Sequence, residues 1–140
     1  MTVETKTFSI STKPYCDVIN ITDQVNNAVR ESSVESGIVN IHNPGSTGAI
    51  STVEYEPGLV KHDIGEFLER ILPYDKRYEH TKTWGDHNGA GHLRSFLLKT
   101  SQTFPFQNKK LLLGTWEQIV FLEFDEKPRT RHLTLTIIGD

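Results

Sequence analysis

The chain has 140 residues, of which 36% are hydrophobic and 24% are charged, and this composition is typical of one globular domain spanning residues 1–140. Its single cysteine, Cys16, excludes an internal disulfide and any CxxC metal or redox site. No run of about 18 apolar residues predicts a membrane helix, and the first residues lack the apolar core of a signal peptide, so a cytoplasmic protein with no membrane partner is expected. The net charge of −3 argues against nucleic acid as a main partner.

Apolar spacing and turn residues predict a strand-rich chain. About seven strands with two or three helices, joined mostly by short turns, indicate a compact α+β domain of packed antiparallel sheets. In chain order, the predicted elements are a strand over 4–12, a helix capped by Thr22 or Asp23 and ended by Gly37, strands over 38–42 and 49–55, a helix over 59–72, a brief helix around 91–99, and strands over 102–106, 110–113, 116–124 and 130–138.

The densest polar segment is 79–92, which lies in a stretch without periodicity over 74–91. It contains three histidines, an aspartate, an asparagine and three glycines. Imidazole and carboxylate groups suit zinc and other first-row metals, and histidine titrates near neutral pH, so metal binding and general acid–base catalysis are both open. The alternative is a solvated loop with scattered histidines.

A second polar segment, Gly45–Gly48, follows Pro44 and predicts a tight loop. Its backbone N–H groups and the hydroxyls of Ser46 and Thr47 could bind a phosphate or carboxylate, although a plain turn explains the same residues. Glu54, at the end of the next predicted strand, could hold a cation or exchange a proton, or could be a solvated strand end.

Glu123, Arg129 and Arg131 flank the last predicted turn. Arginine can clamp a phosphate with two hydrogen bonds, but pairing with nearby carboxylates such as Glu123 or Asp125 is the commoner outcome. Trp116 is expected to pack in the core or in an interface, because tryptophan buries a large area.

Several segments together resemble the YjbQ-like family of small uncharacterised proteins. They are GSTGAISTVEYEPGLVKHD, then His80, GDHNGAGHLRSFLL, FPFQNKKLLLGTWEQIVFLEFD and RTR, and the resemblance covers roughly residues 37–139. It implies a compact α+β domain of packed antiparallel sheets that forms a homotrimer with a pocket between subunits. By position, the family's polar cluster corresponds to His80, Asp86, Asn88 and His92, its first-loop residues to Thr47 and Glu54, its GTW element to Gly114, Thr115 and Trp116, and its closing basic pair to a segment that includes Arg131.

This chain departs from the family pattern at two positions. Many members read His-Thr-Thr-Ala where this chain reads Gly45-Ser46-Thr47-Gly48, so Gly45 replaces a histidine. Glu117 replaces the usual glutamine after the tryptophan. Both departures bear on any mechanism carried over from the family.

Some family members are described as having a secondary thiamine-phosphate synthase activity, so the resemblance implies a transferase acting on a small phosphorylated molecule. Ser46, Thr47, Asn88 and Arg131 would then bind the phosphorylated ligand. Asp86 and Glu54 would hold a divalent cation, Mg²⁺ or Zn²⁺, and His80 or His92 would move a proton.

Two other functions are open. One is metal-assisted hydrolysis, in which His80, Asp86 and His92 bind a metal that keeps one position for water. The other is a non-catalytic, trimeric structural module in which the polar loop only covers an interface.

Overall fold

Eight strands and four helices make up the fold in the computed structural model, which describes residues 1–140. The strands are β1 (Thr2–Ser11), β2 (Asp17–Asn20), β3 (Gly37–His42), β4 (Gly48–Glu54), β5 (Ser101–Gln107), β6 (Lys110–Leu111), β7 (Glu117–Glu123) and β8 (Thr130–Gly139). The helices are α1 (Thr22–Glu31), α2 (Ile64–Ile71), α3 (His80–Trp84) and α4 (Gly89–Leu98), and a π-helical turn, Leu59–Asp63, leads into α2. None of the helices is both long and apolar enough to cross a membrane.

The strands form two antiparallel sheets. One has five strands in the order β1-β8-β3-β5-β6, and the other has three in the order β2-β7-β4. With the helices placed against these sheets, the predicted α+β architecture is confirmed.

The main core lies between the two sheets. Alternate residues of β8, such as Leu133 and Leu135, point inward and meet Ile119 and Phe121 of β7, while Val25 of α1 joins them from one side. A second, smaller cluster covers the opposite face of the three-stranded sheet, where α2 packs its only fully buried residue, Leu68. The three-stranded sheet is therefore buried on both faces, which explains why β7 has four consecutive apolar residues, 119–122, instead of an alternating pattern.

The first third of the chain differs from the sequence prediction at three points. The four residues of β2 were not predicted, because their short polar-flanked sequence carries little periodicity. Helix α1 ends at Glu31 rather than at Gly37, since Ser32 takes an extended conformation and its hydroxyl bonds the Val29 carbonyl at 2.7 Å. Neither Thr22 nor Asp23 caps α1; the side chain of Asn20 instead accepts a hydrogen bond from the Thr22 N–H at 3.0 Å.

The segment predicted as a loop over 74–91 contains the short helix α3, and α4 begins two residues earlier than predicted. Gly91 allows α4 to lie close to the end of β7, because a Cβ at this position would lie 2.4 Å from the carbonyl oxygen of Phe124. This close contact brings the polar segment of 79–92 against the residues that follow β7.

Candidate functional site

Two of the predicted site histidines face each other. His80 is the first residue of α3, and His92 lies in the first turn of α4. Their rings pack edge to face with centroids 4.7 Å apart and an interplanar angle of 67°. The fold thus joins two side chains that are twelve positions apart in the sequence.

Asn88 connects this pair to the end of the sheet. Its Nδ2 donates to Oδ1 of Asp125 at 3.3 Å, and its Oδ1 lies 3.2 Å from Nε2 of His80. Since the amide oxygen can only accept, Nε2 of His80 carries the proton in this arrangement.

Asp125 is the centre of a buried polar network. Besides Asn88, its carboxylate accepts hydrogen bonds from the Thr47 hydroxyl at 3.1 Å and from Nε of Arg129 at 2.9 Å. The Thr47 hydroxyl accepts in turn from Nη2 of Arg131 at 2.9 Å. Thr47 is buried and its hydroxyl proton is committed to Asp125, so this residue fixes the first loop in place.

A buried ion pair between Glu123 of β7 and Arg131 of β8 supports the network. Arg131 donates from Nε to Oε1 of Glu123 at 2.7 Å and from Nη2 to Oε2 of the same carboxylate. Glu123 is fully buried, and the Thr12 hydroxyl also donates to it at 2.7 Å. Of the two alternatives for Arg129 and Arg131, the structure contains the pairing with carboxylates: Arg129 binds Asp125 and Arg131 binds Glu123.

The network includes two residues that sequence reasoning did not assign to the site, Asp125 and Glu123. They appeared only as pairing partners for the arginines, because a carboxylate at a strand end is usually solvated. The signal that could have identified them is the spacing: Glu123 and Asp125 are two residues apart, as are Arg129 and Arg131, and in an extended segment this spacing favours side chains on the same side.

The surroundings set the charge states at the site. Burial lowers the pKa of His92 below its usual value, and the neighbouring His80 acts in the same direction, while Asp125 and the Ser46 backbone only partly oppose them. His92 is therefore neutral at neutral pH. Burial would raise the pKa of Asp125, but hydrogen bonds from the Glu126 N–H, Arg129 and Asn88 outweigh this effect and lower it, so Asp125 is ionised.

His92 borders two open hollows. The first, here called the Lys76 hollow, has a volume of about 510 Å³ and is lined by 76–80, Gly89, His92 and Leu93. The second, the Gly45 hollow, has a volume of about 420 Å³ and is lined by Gly45, Ser46, His92, Ser95, Phe96, Lys99 and Thr100. Lys76, Arg77 and Lys99 bring three positive charges to these walls, against one carboxylate from Glu79, which is itself paired with Lys82.

Another hollow of about 510 Å³ lies beside Cys16 and is lined in part by Lys13, Asp17 and Lys61. Burial raises the pKa of the Cys16 thiol, so the thiolate is disfavoured. This hollow has no histidine and no buried polar network, and the candidate site is therefore placed around His92.

Two predicted site residues are not part of the cluster within one chain. Asp86 is exposed, and its carboxylate accepts no hydrogen bond within the chain, although its negative charge acts to raise the pKa of His92. Glu54 is exposed at the far end of β4, paired in register with Glu117, whereas Gly48 at the near end pairs with Glu123. Six residues of extended strand separate these ends, which is about 20 Å.

The proposed metal ligands His80, Asp86 and His92 do not come together as a ligand set in one chain. The only three His, Cys, Asp or Glu side chains with ligand atoms all within 4.8 Å of one another are His62, Asp63 and Glu66, which are exposed at the start of α2. Of the predicted trio, two imidazoles are adjacent without a carboxylate at ligand distance. The residues present in one chain do not fit the three-ligand metal centre.

Together, these features define a small two-sheet α+β domain with a histidine pair set between cationic hollows. Comparison with known proteins assigns this domain to a family. The family model described as "UPF0047 protein YjbQ-like" matches residues 6–140, and the chain belongs to that family.

Relatives match over nearly the whole chain. A UPF0047 protein from Archaeoglobus fulgidus is 41% identical over 89% of this chain and 94% of its own length. The UPF0047 protein YugU from Bacillus subtilis is 31% identical over 96% of this chain and 98% of its own length.

Solved structures share the fold. A YbjQ-like protein of unknown function from Sulfolobus solfataricus superposes with a TM-score of 0.88 at 30% identity, covering 99% of this chain and 100% of that protein. A hypothetical protein from Aeropyrum pernix gives a TM-score of 0.90 at 29% identity, covering 98% and 99%.

Proposed function

We propose that this protein binds a small phosphorylated molecule in the hollows beside His92 and catalyses a transfer reaction on it, of the thiamine-phosphate synthase type. The observation that carries this proposal is a neutral imidazole placed between walls that contain Lys76, Arg77 and Lys99. Cationic walls favour phosphate oxygens, and a neutral imidazole can take a proton from a bound ligand.

In such a reaction, a thiazole phosphate is joined to a pyrimidine diphosphate and pyrophosphate leaves. Stabilisation of the leaving group needs positive charge and N–H donors in place before the reaction. Lys99 and Ser46 on one side of His92, and Lys76 and Arg77 on the other, are the groups that this chain offers. The hydrogen bond from His80 to Asn88, and from Asn88 to Asp125, would hold the histidine pair in its orientation.

A homotrimer with the site near a subunit boundary is part of the proposal. It is supported by apolar side chains that one chain leaves uncovered on α4, where Leu93 is 40%, Phe96 73% and Leu97 50% exposed. Phe96 also lines the Gly45 hollow, so a neighbouring subunit that covers this face would close the hollow. Glu54, Asp86 and the exposed Trp116 are then candidates to complete the site of a neighbouring chain.

The uncovered face of α4 also favours a second candidate, a trimeric module without catalysis. The two candidates differ in the variant Phe96→Ser, measured by analytical ultracentrifugation and by ligand binding. For an enzyme with a closed site, loss of the trimer lowers ligand affinity as well. For a structural module, wild-type protein binds no phosphorylated ligand, whatever its oligomeric state.

The direct test is an assay of thiamine phosphate formation from the two phosphorylated precursors with wild-type protein, His92→Ala and His132→Ala. His132 is an exposed histidine on β8 that bonds Ser9, and it serves as the control. We expect at least a 100-fold loss of kcat in His92→Ala, the size typical of removing a general acid or base, and no loss in His132→Ala. Wild-type protein that forms no product, or equal activities in both variants, would contradict the proposal.

A further inference from the structure

The first polar loop has no side chain at Gly45, and the side chains of Asn43 and Arg131 crowd the position that a Cβ would take there. Gly45 is exposed, and a Cβ at this position would lie 3.1 Å from Nη1 of Arg131 and 3.5 Å from Nδ2 of Asn43. Two hydrogen-bond donors therefore lie beside Gly45, and the Asn43 amide oxygen is 3.8 Å from the same Cβ position. Gly45 itself is one of the residues that line the Gly45 hollow.

Asn43 supplies the first of these donors. Its side chain is 2% exposed, and Nδ2 is the only buried side-chain nitrogen or oxygen in the chain without a hydrogen-bond partner. Buried donors are almost always paired, so an unpaired one calls for an explanation. The oxygen of a bound ligand in front of Gly45 would supply the missing acceptor.

Arg131 supplies the second donor. Its Nε and Nη2 are committed to Glu123 and Thr47, whereas Nη1 makes no hydrogen bond within the chain. The guanidinium is held on one side by these contacts and cannot turn away. Its Nη1 N–H groups are thus oriented before any ligand arrives.

We infer that the space in front of Gly45 is an oxyanion subsite, in which one phosphoryl oxygen accepts from Nη1 of Arg131 and Nδ2 of Asn43 together. Because Glu123 offsets the charge of Arg131, the two donors Arg131 and Asn43 contribute directed hydrogen bonds. Lys99, which lines the same hollow, contributes the uncompensated positive charge. A phosphoryl group suits the subsite because its other oxygens can face Ser46 and Lys99. The inference rests on the proposed function for the kind of ligand, but not for any role of His92.

Gly45→Ala is the variant that tests this subsite. The φ angle of Gly45 is not in the left-handed region, so alanine is compatible with the backbone. Its methyl group would occupy the space beside the fixed guanidinium. Gly114→Ala is the matched control, because a Cβ there meets nothing closer than 3.7 Å.

The measurement is isothermal titration calorimetry with inorganic phosphate on the wild type and both variants. We expect the Kd to rise at least tenfold in Gly45→Ala and to stay within twofold of wild type in Gly114→Ala. Asn43→Asp, which replaces the unpaired donor by a carboxylate, should also abolish binding. Wild-type protein that binds no phosphate at about 10 mM, or a Gly45→Ala Kd within twofold of wild type, would overturn the inference.

His92→Ala in the same titration separates this inference from the proposed function. Binding that survives in His92→Ala and is lost in Gly45→Ala supports the subsite and counts against His92 as part of the phosphate site. Binding that is lost in His92→Ala and survives in Gly45→Ala overturns the subsite and leaves the proposed function in place.

Discussion

The hydroxyl of Thr47 and the carboxylate of Asp125 are 3.1 Å apart, although 78 positions separate these residues in the chain. This hydrogen bond ties the first polar loop to the end of β7, where Asn88 also binds the same carboxylate. Three distant segments are thereby fixed to one buried charge. The candidate site depends on that charge for its shape.

The variant Asp125→Asn tests this dependence. The amide can accept from only one oxygen, and it removes the charge that Arg129 and Asn88 bind, so we expect a loss of about 1–3 kcal/mol in the free energy of unfolding. Urea denaturation measures this loss. The exposed Asp86→Asn is the control and should change stability by less than about 0.5 kcal/mol; equal effects of the two variants would show that the network is unimportant.

The pH dependence of stability should also reflect the contribution of ionised Asp125. Because the pKa of Asp125 is lower in the folded protein than in the unfolded chain, its contribution is present above the unfolded value and is lost as the pH falls through the folded value. As the pH falls below about 5, the free energy of unfolding should therefore drop more in the wild-type protein than in Asp125→Asn. Parallel stability curves for the two proteins would contradict the assigned direction.

His92 should titrate below the usual value of 6.5, because burial and His80 both disfavour its charged form. The stability that neutral His92 contributes is then complete above pH 6.5 and declines as the pH falls below it, since the unfolded chain takes up the proton first. Proton NMR of the imidazole signals measures this pKa. A value above 6.5 in the free protein would be incompatible with the neutral imidazole on which the proposed function depends.

The buried pair of Glu123 and Arg131 should be costly to break from one side. Glu123→Gln leaves the guanidinium, whose side chain is only 11% exposed, without its charged partner, and we expect a loss of about 3–5 kcal/mol. The double variant Glu123→Leu, Arg131→Met should recover part of that loss, because it leaves no buried charge. Chemical denaturation of the three proteins tests this, and a single variant as stable as wild type would refute the role of the pair.

The packing of α2 offers a simpler test. Leu68 is 1% exposed between the helix and the three-stranded sheet, so Leu68→Ala should cost about 2–5 kcal/mol. Leu112→Ala, at a position that is 56% exposed, should be nearly neutral. Similar unfolding midpoints for the two variants would mean that α2 contributes little to the core.

The sequence predicted the strands well where burial leaves a regular pattern, as in β8 with its alternating Leu133, Leu135 and Ile137. It missed β2 and α3, since four or five residues are too few to show a period. Helix α1 ended early because Ser32 bonds the last turn, a local effect that apolar spacing does not reveal.

Within the candidate site, local reasoning found the histidines but not what holds them. His80, Asn88 and His92 were predicted from one polar segment and do lie together. Asp125 was missed because its importance arises only when three segments meet around it. Asp86 and Glu54 stay predictions for a site shared between chains, since one chain keeps them apart from the cluster.

An ¹⁵N NMR titration of the wild-type protein with inorganic pyrophosphate shows whether phosphate groups bind around His92. We expect saturable shifts of the backbone signals of Ser46, His92 and Lys99, and of the residues around Lys76 and Arg77. We also expect the signals beside Cys16 to stay unchanged. Shifts confined to the region around Cys16, or none at all, would contradict a phosphate-binding site around His92.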